Sequence, residues 1–547
     1  MNIYKSLFLG LVCSAGMHCT FAQTTVWNPD NQNGTFTNPI MWGDWPDPDL
    51  IRVDDKFYLV STSMHYVPGC PIAVSEDLVN WEMAGYALDR YDEDPKYDMQ
   101  GGNLYLNGAW ATTIRHHNGK FYVGFCTPYG WGRETGHFSI CIADDVKGPW
   151  ERTIFPEYLY DPGLFFDEDG KVYVVHGQGT LYLTELNSDV KSVKGKPVKI
   201  WQGGFKNAHE LGGGFGMEGS HMYRINGKYY ITCPAGGTGG WQICLRSDNI
   251  YGPYEHKLIM NDWSSYPENG LHQGGMVQLK NGDWWFMIMQ DRGPIGRVPC
   301  LVPVKWIDGW PMLGDEDGRV PETMEVPVKG GPVIPLVVGD EFDGDKLKME
   351  WQWNHNPVDE AWTLKEHKGF LRLKTNKVVS NLYEARNTLT QRMEGPECSG
   401  SLALEVGGMK DGDRAGLAAF NGHSGILTVE KEGKDLFLVM SEEVVSLTDK
   451  EKKVNGVERK ECARVKLPRT KKVYLRVDAD FRLKRDIAEF YYSMDGKDWT
   501  KIGSDFRMLF DYRKLFMGSQ FGIFNYATKS AGGYVDVDYF RYEKAEK

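Results

Sequence analysis

Three carboxylic acids stand in short motifs that could bring acid–base chemistry to one place. Asp47 lies in WPDP, Asp161 in YDPG and Glu218 in MEGS. A protonated carboxyl group can donate its proton to a leaving oxygen, while an ionised carboxylate on the other side activates water or attacks directly. A third carboxylate raises the pKa of its neighbour and keeps that acid protonated near neutral pH. If the fold brings them together, these residues would suit hydrolysis of a glycosidic bond.

Five hairpin-like repeats in the first 300 residues indicate how the fold would position these acids. Each repeat has an apolar stretch, a turn rich in Asp, Asn and Gly, and then paired strand formers, which predicts a β-hairpin. The second strand formers recur at spacings of 64, 51, 57 and 55 residues. Repeats of this length have room for four short strands, so they predict a five-bladed β-propeller. The second strand formers are Tyr58, Tyr122, Tyr173, Tyr230 and Trp285.

Equivalent positions before these five markers hold the candidate site residues. The positions 11 to 13 residues upstream are Asp47, Trp110, Asp161, Glu218 and His272. Because the first strand of each blade lines the propeller axis, the shared offset predicts that the five side chains meet in one funnel. A flat Trp110 ring there could stack on a sugar. Taken singly, each residue has an ordinary explanation as a turn, solvated or core residue, and the shared offset favours a site.

Composition and the N-terminus narrow the class of protein. The chain has 547 residues and a formal net charge of −12, from 62 Lys plus Arg against 74 Asp plus Glu. An acidic chain without clustered cations is a poor candidate for binding nucleic acid. Residues 1–22 match a secretory signal peptide, which predicts export to the periplasm or the medium. No later segment reaches about 18 uninterrupted apolar residues, so no transmembrane segment is predicted.

The second half of the chain predicts another β domain. The repeat ends near residue 313, and residues 321–339 are rich in Pro and Gly, which indicates a linker. From there, short alternating strands without a helical period predict a two-sheet sandwich over 340–547. The predicted architecture is therefore all-β, with the propeller over 23–320 followed by the sandwich.

Longer segments around the three acids carry a family resemblance. The segments are NPIMWGDWPDPDLIRV around Asp47, YDPGLFFDEDGKVYVV around Asp161 and MEGSHMYRINGKYY around Glu218, with Ser220 where Pro is usual. In this order they resemble the motifs of glycoside hydrolase family 43, over residues 38–313. From about 340 to 545, segments such as DEFDGDKLKMEWQWNHNP resemble the lectin-like, concanavalin-type sandwich of that family's β-xylosidases and arabinofuranosidases.

The resemblance implies a role for each acid. Asp47 would be the general base, Glu218 the general acid and Asp161 the carboxylate that tunes the pKa of the acid. The family hydrolyses its substrates by a single displacement with inversion. The carboxyl groups of Asp47 and Glu218 would then lie about 6.5–9.5 Å apart, which leaves room for a water molecule.

The resemblance also implies the residues around the sugar. Contacts with substrate would come from Trp110, His65, Tyr66, Arg292 and Arg297.

Two further expectations follow from the same resemblance. His272 aligns with an axial histidine, which implies a structural ion, calcium being the candidate, bound directly or through water. No cofactor would be required for the chemistry. In the sandwich, the segment near Phe521 to Tyr526 is expected to reach the rim of the funnel.

The favoured hypothesis is an exo-acting, inverting hydrolase that releases terminal α-L-arabinofuranose from plant cell-wall polysaccharides or oligosaccharides. A β-D-xylosidase acting on xylo-oligosaccharides, or a bifunctional enzyme, is the alternative, because both sugars are neutral pentoses. An endo-arabinanase with an open cleft and a catalytically silent, glycan-binding propeller are the remaining hypotheses.

Overall fold

The computed structural model describes residues 26–129, 135–202, 216–235, 239–264, 266, 269–450 and 452–545. The predicted signal peptide, residues 1–22, lies outside the described residues. Within the described part of the chain, no helix is both long and apolar enough to cross a membrane.

Five four-stranded antiparallel sheets form the N-terminal domain, so the predicted propeller is confirmed. A short strand, β1 (Thr35–Thr37), precedes the blades. The first blade has β2 (Asp49–Val53), β3 (Lys56–Val60), β5 (Gly69–Ser75) and β6 (Trp81–Leu88), with β4 (Tyr66–Val67) leaving it between β3 and β5. The second has β7 (Trp110–His117), β8 (Lys120–Pro128), β9 (Gly136–Ala143) and β10 (Glu151–Phe155). The third has β11 (Gly163–Phe166), β12 (Val172–His176), β13 (Thr180–Leu186) and β14 (Val198–Gln202).

The remaining two blades complete the ring. The fourth has β15 (His221–Ile225), β16 (Lys228–Ala235), β17 (Trp241–Ser247) and β18 (Glu255–Met260). The fifth has β19 (Leu271–Gln278), β20 (Trp284–Asp291), β21 (Arg297–Ile307) and β22 (Trp310–Leu313). The first strand of each blade contacts the neighbouring blade, and β19 packs on β2 to close the ring. These first strands therefore surround one axis.

The turns between paired strands explain why the repeats form hairpins. At Asn118–Gly119 the φ angles are +49° and +76°, and at Asn226–Gly227 they are +50° and +80°. Two successive positive φ angles make the type of turn whose twist matches that of the flanking strands, and Asn-Gly adopts it at low cost. The predicted N-G hairpins are thus present in the second and fourth blades.

The C-terminal domain is a sandwich of two large antiparallel sheets, as predicted. One sheet has the order β32-β31-β30-β29-β37-β27-β24-β4, and the other has the order β25-β26-β38-β28-β33-β34-β35, with β36 paired to β34. The strands from β23 to β30 are Thr323–Glu325, Gln352–Asn354, Trp362–Thr363, Leu371–Lys374, Leu389–Arg392, Glu397–Glu405, Asp413–Phe420 and His423–Glu432. Those from β31 to β38 are Asp435–Leu447, Val454–Lys466, Lys472–Asp480, Ile487–Ser493, Thr500–Lys501, Phe506–Arg507, Gln520–Ala527 and Tyr534–Glu543. Short 3-10 helices occur at Pro95–Asp98, Gly293–Ile295, Asp359–Ala361 and Leu382–Glu384.

A shared sheet joins the two domains. Strand β4 of the propeller chain pairs with β24 of the sandwich, with Val67 opposite Trp353 and Tyr66 opposite Asn354. In the segment predicted as a linker, β23 pairs with β1 at the start of the propeller. Backbone hydrogen bonds therefore fasten the sandwich to the propeller through β24, and the start of the predicted linker to the propeller through β23.

Candidate active site

The Asp47 carboxylate is held in a fixed, nearly buried position at the start of the first blade. The residue lies two positions before β2, has a φ of +52° and is 6% exposed. Its Oδ2 accepts a hydrogen bond from Thr62 Oγ1 at 2.7 Å, and both carboxylate oxygens lie 3.1 Å from Nη1 of Arg297. An ion pair and a hydroxyl donor therefore fix the orientation of this carboxylate, as a general base requires.

Glu218 stands just before β15 and is oriented by the third blade. Its Oε2 accepts hydrogen bonds from the Tyr160 hydroxyl at 3.1 Å and from Nε2 of Gln178 at 2.6 Å. The side chain is half-buried, whereas those of Asp47 and Asp161 are buried. Because Tyr160 directly precedes Asp161 in the chain, the contact with Tyr160 brings Glu218 next to the second carboxylate motif.

Cys126 marks the place where the first three blades meet. Burial raises the pKa of its thiol well above the usual value, and the nearby carboxylates of Asp161 and Asp47 raise it further. The backbone N–H of Asp161 donates to this sulfur, and the thiol lies 3.9 Å from the Trp110 carbonyl oxygen. The structure therefore brings Asp47, Trp110 and Asp161 together around one thiol, with Glu218 attached through Tyr160.

Phe516, from the sandwich, completes this group of side chains. Its ring lies 6.1 Å from the Trp110 ring in an edge-on arrangement and 4.2 Å from the Arg297 guanidinium. Its carbonyl oxygen also accepts a hydrogen bond from Nη2 of Arg297 at 2.9 Å. The arginine that holds Asp47 is thus itself held by the second domain.

The expectation that the segment near Phe521 to Tyr526 reaches the funnel is wrong. That segment lies in β37, in the middle of a sandwich sheet, where its side chains are buried. The contact with the propeller comes from the loop just before β37, at Phe516 to Ser519, where Ser519 N–H donates to the Pro294 carbonyl. Nothing in the spacing of the loop residues distinguishes them from other loops, so sequence reasoning missed Phe516.

Asp44 anchors the same loop from the propeller side. Its carboxylate accepts hydrogen bonds from the backbone N–H of Arg297 at 2.8 Å and of Gly518 at 2.6 Å, and it is 1% exposed. Burial raises the pKa of Asp44 above its usual value, although Arg297 acts in the opposite direction. A Cβ atom on Gly296 would come within 2.2 Å of this carboxylate, so glycine is required there. Asp44 lies three residues before Asp47 in the same motif, and this position in the sequence could have indicated that it belongs near the site.

His65 and Tyr66 lie in the junction between the domains. They are 1% and 0% exposed, and His65 Nε2 lies 2.9 Å from Oδ1 of Asn354 in the sandwich. Burial lowers the pKa of His65 to about 3, so the imidazole is neutral at physiological pH. Both side chains therefore pack in the junction, and their predicted contact with sugar stays a prediction.

Arg292 packs between aromatic rings. Its guanidinium lies 5.6 Å from the Trp42 ring and 5.4 Å from the Tyr266 ring, and its Nε donates to Oε1 of Gln290 at 3.1 Å. Its predicted contact with substrate stays a prediction. Arg297, in contrast, contacts the candidate base directly.

His272 is buried on the propeller axis, but its surroundings do not form a calcium cage. Its Nε2 lies 2.8 Å from Oδ2 of Asp291. Calcium takes six to eight oxygen ligands, whereas here one imidazole and one carboxylate already bind each other. Among the described residues, three potential ligands come together only at His367, Glu405 and Asp536, in the sandwich.

That group in the sandwich is an ion-pair cluster. Asp536 is bound by Arg372 at 2.7 and 2.8 Å, and Lys472 lies 3.5 Å from Glu405. Both carboxylates therefore already have cationic partners. The donor sets in the described residues do not fit the predicted calcium ion, and we derive no step of the chemistry through an ion.

Comparisons with known protein families agree with this architecture. Residues 36–311 match the model of glycosyl hydrolases family 43, and residues 339–543 match that of the beta xylosidase C-terminal concanavalin A-like domain. A protein of Formosa agariphila named beta-xylosidase is 31% identical over 95% of this chain and 92% of its own length. A protein of Bacteroides ovatus named non-reducing end alpha-L-arabinofuranosidase is 32% identical over 77% of this chain and 82% of its own length.

Solved structures show the same two-domain arrangement. A bifunctional GH43-CE protein of Bacteroides eggerthii superposes with a TM-score of 0.84 at 36% identity, over 96% of this chain and 64% of that longer chain. An engineered GH43 enzyme, described as displaying endo-xylanase and exo-arabinofuranosidase activity, has a TM-score of 0.83 at 30% identity, over 94% of this chain and 99% of that one. With both domain models matched in order and the fold shared over nearly the whole chain, this protein belongs to glycosyl hydrolases family 43 and is a glycosidase.

Proposed function

We propose that this glycosidase is an exo-acting, inverting pentosidase that releases terminal α-L-arabinofuranose from plant cell-wall polysaccharides or oligosaccharides. The observation that carries the proposal is the position of two acids just before the first strands of separate blades. Asp47 is paired with Arg297, and Glu218 accepts hydrogen bonds from Gln178 and from Tyr160, the neighbour of Asp161. An acid and a base that come from different blades can act on opposite sides of one glycosidic bond.

The reaction that we propose is one displacement. Asp47 accepts a proton from a water molecule while the water oxygen forms a bond to the anomeric carbon. The glycosidic C–O bond breaks at the same time, and Glu218 gives its proton to the departing oxygen. Asp161 lies beside Tyr160, the residue that donates to Glu218, and from there it would favour the protonated form of the acid.

Exo action is supported by the contribution of the sandwich. Phe516 packs on both Trp110 and Arg297, so the second domain forms one wall beside the candidate base. A wall at this point would leave room for a terminal sugar and exclude a continuous chain. A blind-ended site is therefore part of the proposal, in place of the open cleft of an endo-arabinanase.

A β-D-xyloside is the second candidate substrate. Relatives with names of both kinds match most of this chain, and the Formosa agariphila protein is named beta-xylosidase. Both sugars are neutral pentoses, and the described contacts around Asp47 and Glu218 suit the cleavage of either bond. An enzyme that acts on both substrates is included in this second candidate.

The test compares wild-type protein and the Glu218→Gln variant on two para-nitrophenyl glycosides, α-L-arabinofuranoside and β-D-xyloside. We expect the wild type to turn over the arabinofuranoside faster than the xyloside. A natural oligosaccharide is the third substrate, because its leaving group needs a proton, and on it Glu218→Gln should lose about 10²–10⁴-fold in kcat. Proton NMR of the first product should show inversion. Faster turnover of the xyloside would support the second candidate.

Two other results would reject the proposal. A retained anomeric configuration would contradict the role of Asp47 as a base. Binding of oligosaccharides with no turnover of any pentoside would favour the silent, glycan-binding propeller.

We also propose that the protein is exported, on the basis of residues 1–22. Expression of the full chain in a Gram-negative host, followed by fractionation and mass spectrometry, should give a mature chain that begins at Gln23. An uncleaved chain in the cytoplasmic fraction would contradict this proposal.

A further inference from the structure

The propeller axis carries a second cavity, at the end away from Asp47. The candidate acids precede or begin the first strands of their blades, whereas this cavity is lined by residues further along the same strands. Its volume is about 310 Å³. The polar side chains among its lining residues are Arg52 on β2, Arg115 and His116 on β7, Tyr223 on β15 and Gln278 on β19. Four of the five blades thus contribute to it.

Two arginines in this cavity have buried N–H groups without a partner. Arg115 uses Nη1 to bind the Asp49 carboxylate at 2.6 Å, but its Nη2 is buried and has no hydrogen-bond acceptor. Nη1 of Arg52 is also buried without an acceptor, and within the described residues no carboxylate oxygen lies within 4.0 Å of its guanidinium nitrogens. Buried polar groups in folded proteins are almost always paired, so two such donors at one cavity need an explanation.

The charge balance at the cavity is positive. Asp49 compensates Arg115, and nothing in the described surroundings compensates Arg52. The hydroxyl of Tyr223 accepts a hydrogen bond from Met276 N–H at 2.9 Å and also contacts the Thr232 side chain, so the two arginines are the donors left for a ligand. A guanidinium group has a planar fork of donors that matches the oxygens of phosphate, sulfate or carboxylate.

We propose that this cavity binds a small inorganic oxyanion, phosphate or sulfate, between Arg52 and Arg115. The anion would satisfy both unpaired N–H groups and the charge of Arg52. Because the two arginines lie on the first strands of neighbouring blades, the anion would also connect these blades at this end of the ring. A neutral pentose has no charge with which to satisfy this cavity, so the site is separate from the one that binds substrate.

The test measures oxyanion binding to the full-length mature protein. We expect isothermal titration calorimetry to show saturable binding of phosphate or sulfate with one site per chain. The thermal unfolding midpoint should rise with oxyanion concentration, since a ligand that binds only the folded state stabilises it by mass action. Sodium chloride at matched ionic strength is the reference, because it reports general screening alone.

Two variants with the same change of charge make the test specific. Arg52→Gln should weaken oxyanion binding roughly tenfold or more, since it removes a charge-assisted donor. Lys56→Gln, on β3 of the same blade, removes an exposed cation that contacts Glu76 and should bind oxyanion like the wild type. Arg52→Lys keeps the charge but loses the planar fork, so it should also bind more weakly.

The outcomes separate this proposal from the proposed function. Turnover of aryl pentosides by Arg52→Gln should stay at the wild-type level if the two sites are independent. No saturable binding of phosphate or sulfate to the wild type would overturn the oxyanion site, whatever the substrate of the enzyme. Equal oxyanion binding by wild type and Arg52→Lys would also overturn the proposed site. If Arg52→Gln does not fold, Arg52→Lys still provides this test.

Discussion

Asp47 lies two residues before Asp49, which is the first residue of β2, and the two acids have partners of the same kinds. Each carboxylate accepts a hydrogen bond from a threonine hydroxyl and pairs with an arginine. For Asp47 the partners are Thr62 and Arg297, and for Asp49 they are Thr113 and Arg115. The local chemistry of the two acids is therefore nearly identical.

The difference lies in what surrounds each pair. Asp49 is 0% exposed, and its Oδ2 accepts a third hydrogen bond, from Ile114 N–H at 2.9 Å. Burial alone would raise the pKa of Asp49, but Arg115, His221 and the hydrogen bonds from Ile114 and Thr113 together leave it below its usual value. Asp47 keeps 6% exposure, and its partner Arg297 packs on Phe516. An acid with the same kinds of partner thus holds two blades together at one position and, at the other, is paired with an arginine that contacts the sandwich.

The largest predicted effect comes from the same substitution at both positions. Asp47→Asn should lower kcat about 10²–10⁴-fold, because the amide cannot take a proton from water. Asp49→Asn should retain most of its turnover but lose roughly 3–5 kcal/mol of unfolding free energy, because it leaves Arg115 buried without its partner. Steady-state kinetics and urea unfolding measure the two effects.

The stability loss for Asp49→Asn should also depend on pH. The folded-state pKa of Asp49 is below its usual value, so its contribution to stability is complete above about pH 4 and is lost as the pH falls through the folded-state pKa. The unfolding free energies of wild type and Asp49→Asn should therefore converge in strong acid. If Asp49→Asn had the unfolding free energy of the wild type but lost turnover, Asp49 and not Asp47 would be the catalytic acid of this pair.

A third buried carboxyl group, Glu394, has no cationic partner among the described residues and sharpens the comparison. It accepts a hydrogen bond from Trp27 N–H at 3.2 Å, and burial raises its pKa to about 8. The folded state then keeps a proton that the unfolded state releases, so stability falls as the pH rises from about 4.5 to about 8.

The Glu394→Gln variant should remove this pH dependence. Relative to wild type, its unfolding free energy should rise by roughly 1 kcal/mol for each pH unit in that window. Chemical denaturation at several pH values measures it, with the exposed Glu76→Gln as the control. A constant difference between wild type and Glu394→Gln from pH 5 to pH 8 would mean that Glu394 is ionised in the folded protein.

The dependence of Asp47 on the sandwich can be tested at Phe516. Phe516→Ala removes the ring that covers Arg297 and Trp110, and we expect a loss of about 1–2 kcal/mol in transition-state binding, close to tenfold in kcat/KM. Tyr534→Ala, an exposed aromatic of the sandwich that packs on Arg372, should leave kcat/KM unchanged. Equal values for Phe516→Ala and wild type would show that the site does not need the second domain.

The smallest predicted effect concerns the two threonines. Thr62→Val removes the 2.7 Å hydrogen bond to Asp47, and Thr113→Val removes the 2.9 Å hydrogen bond to Asp49. Each bond should contribute about 1 kcal/mol. We expect Thr62→Val to affect mainly kcat and Thr113→Val mainly the unfolding free energy. If Thr62→Val lost stability but kept its kcat, Asp47 would have a structural role like that of Asp49.

The propeller and its acids could be predicted because their signals are local and repeated. Turns such as Asn118–Gly119 specify hairpins over a few residues, and five copies at similar spacing specify the blades. The shared offset of Asp47, Asp161 and Glu218 reflects this repetition, because each acid precedes the first strand of its blade. Their roles in catalysis stay a prediction.

Contacts between the domains could not be predicted in this way. The hydrogen bond from Arg297 to Phe516 spans 219 residues, and the one from Gly518 to Asp44 spans 474. No repeat or local pattern relates residues so far apart, because their meeting depends on how the sandwich packs on the propeller. The same reason explains why His65 and Tyr66 lie in the domain junction, where β4 joins the sandwich sheet.

The amino-acid sequence was thus sufficient for the all-β architecture, through repeated turn chemistry, and for the family, through the motifs that carry the resemblance. Only the tertiary structure showed that the neighbouring Asp49 has the same kinds of partner as Asp47 and is fully buried. It also placed Phe516 and Asp44 beside Arg297, and His65 and Tyr66 in the junction between the domains. Burial and the docking of the second domain decide these roles, and neither property is a function of nearby residues alone.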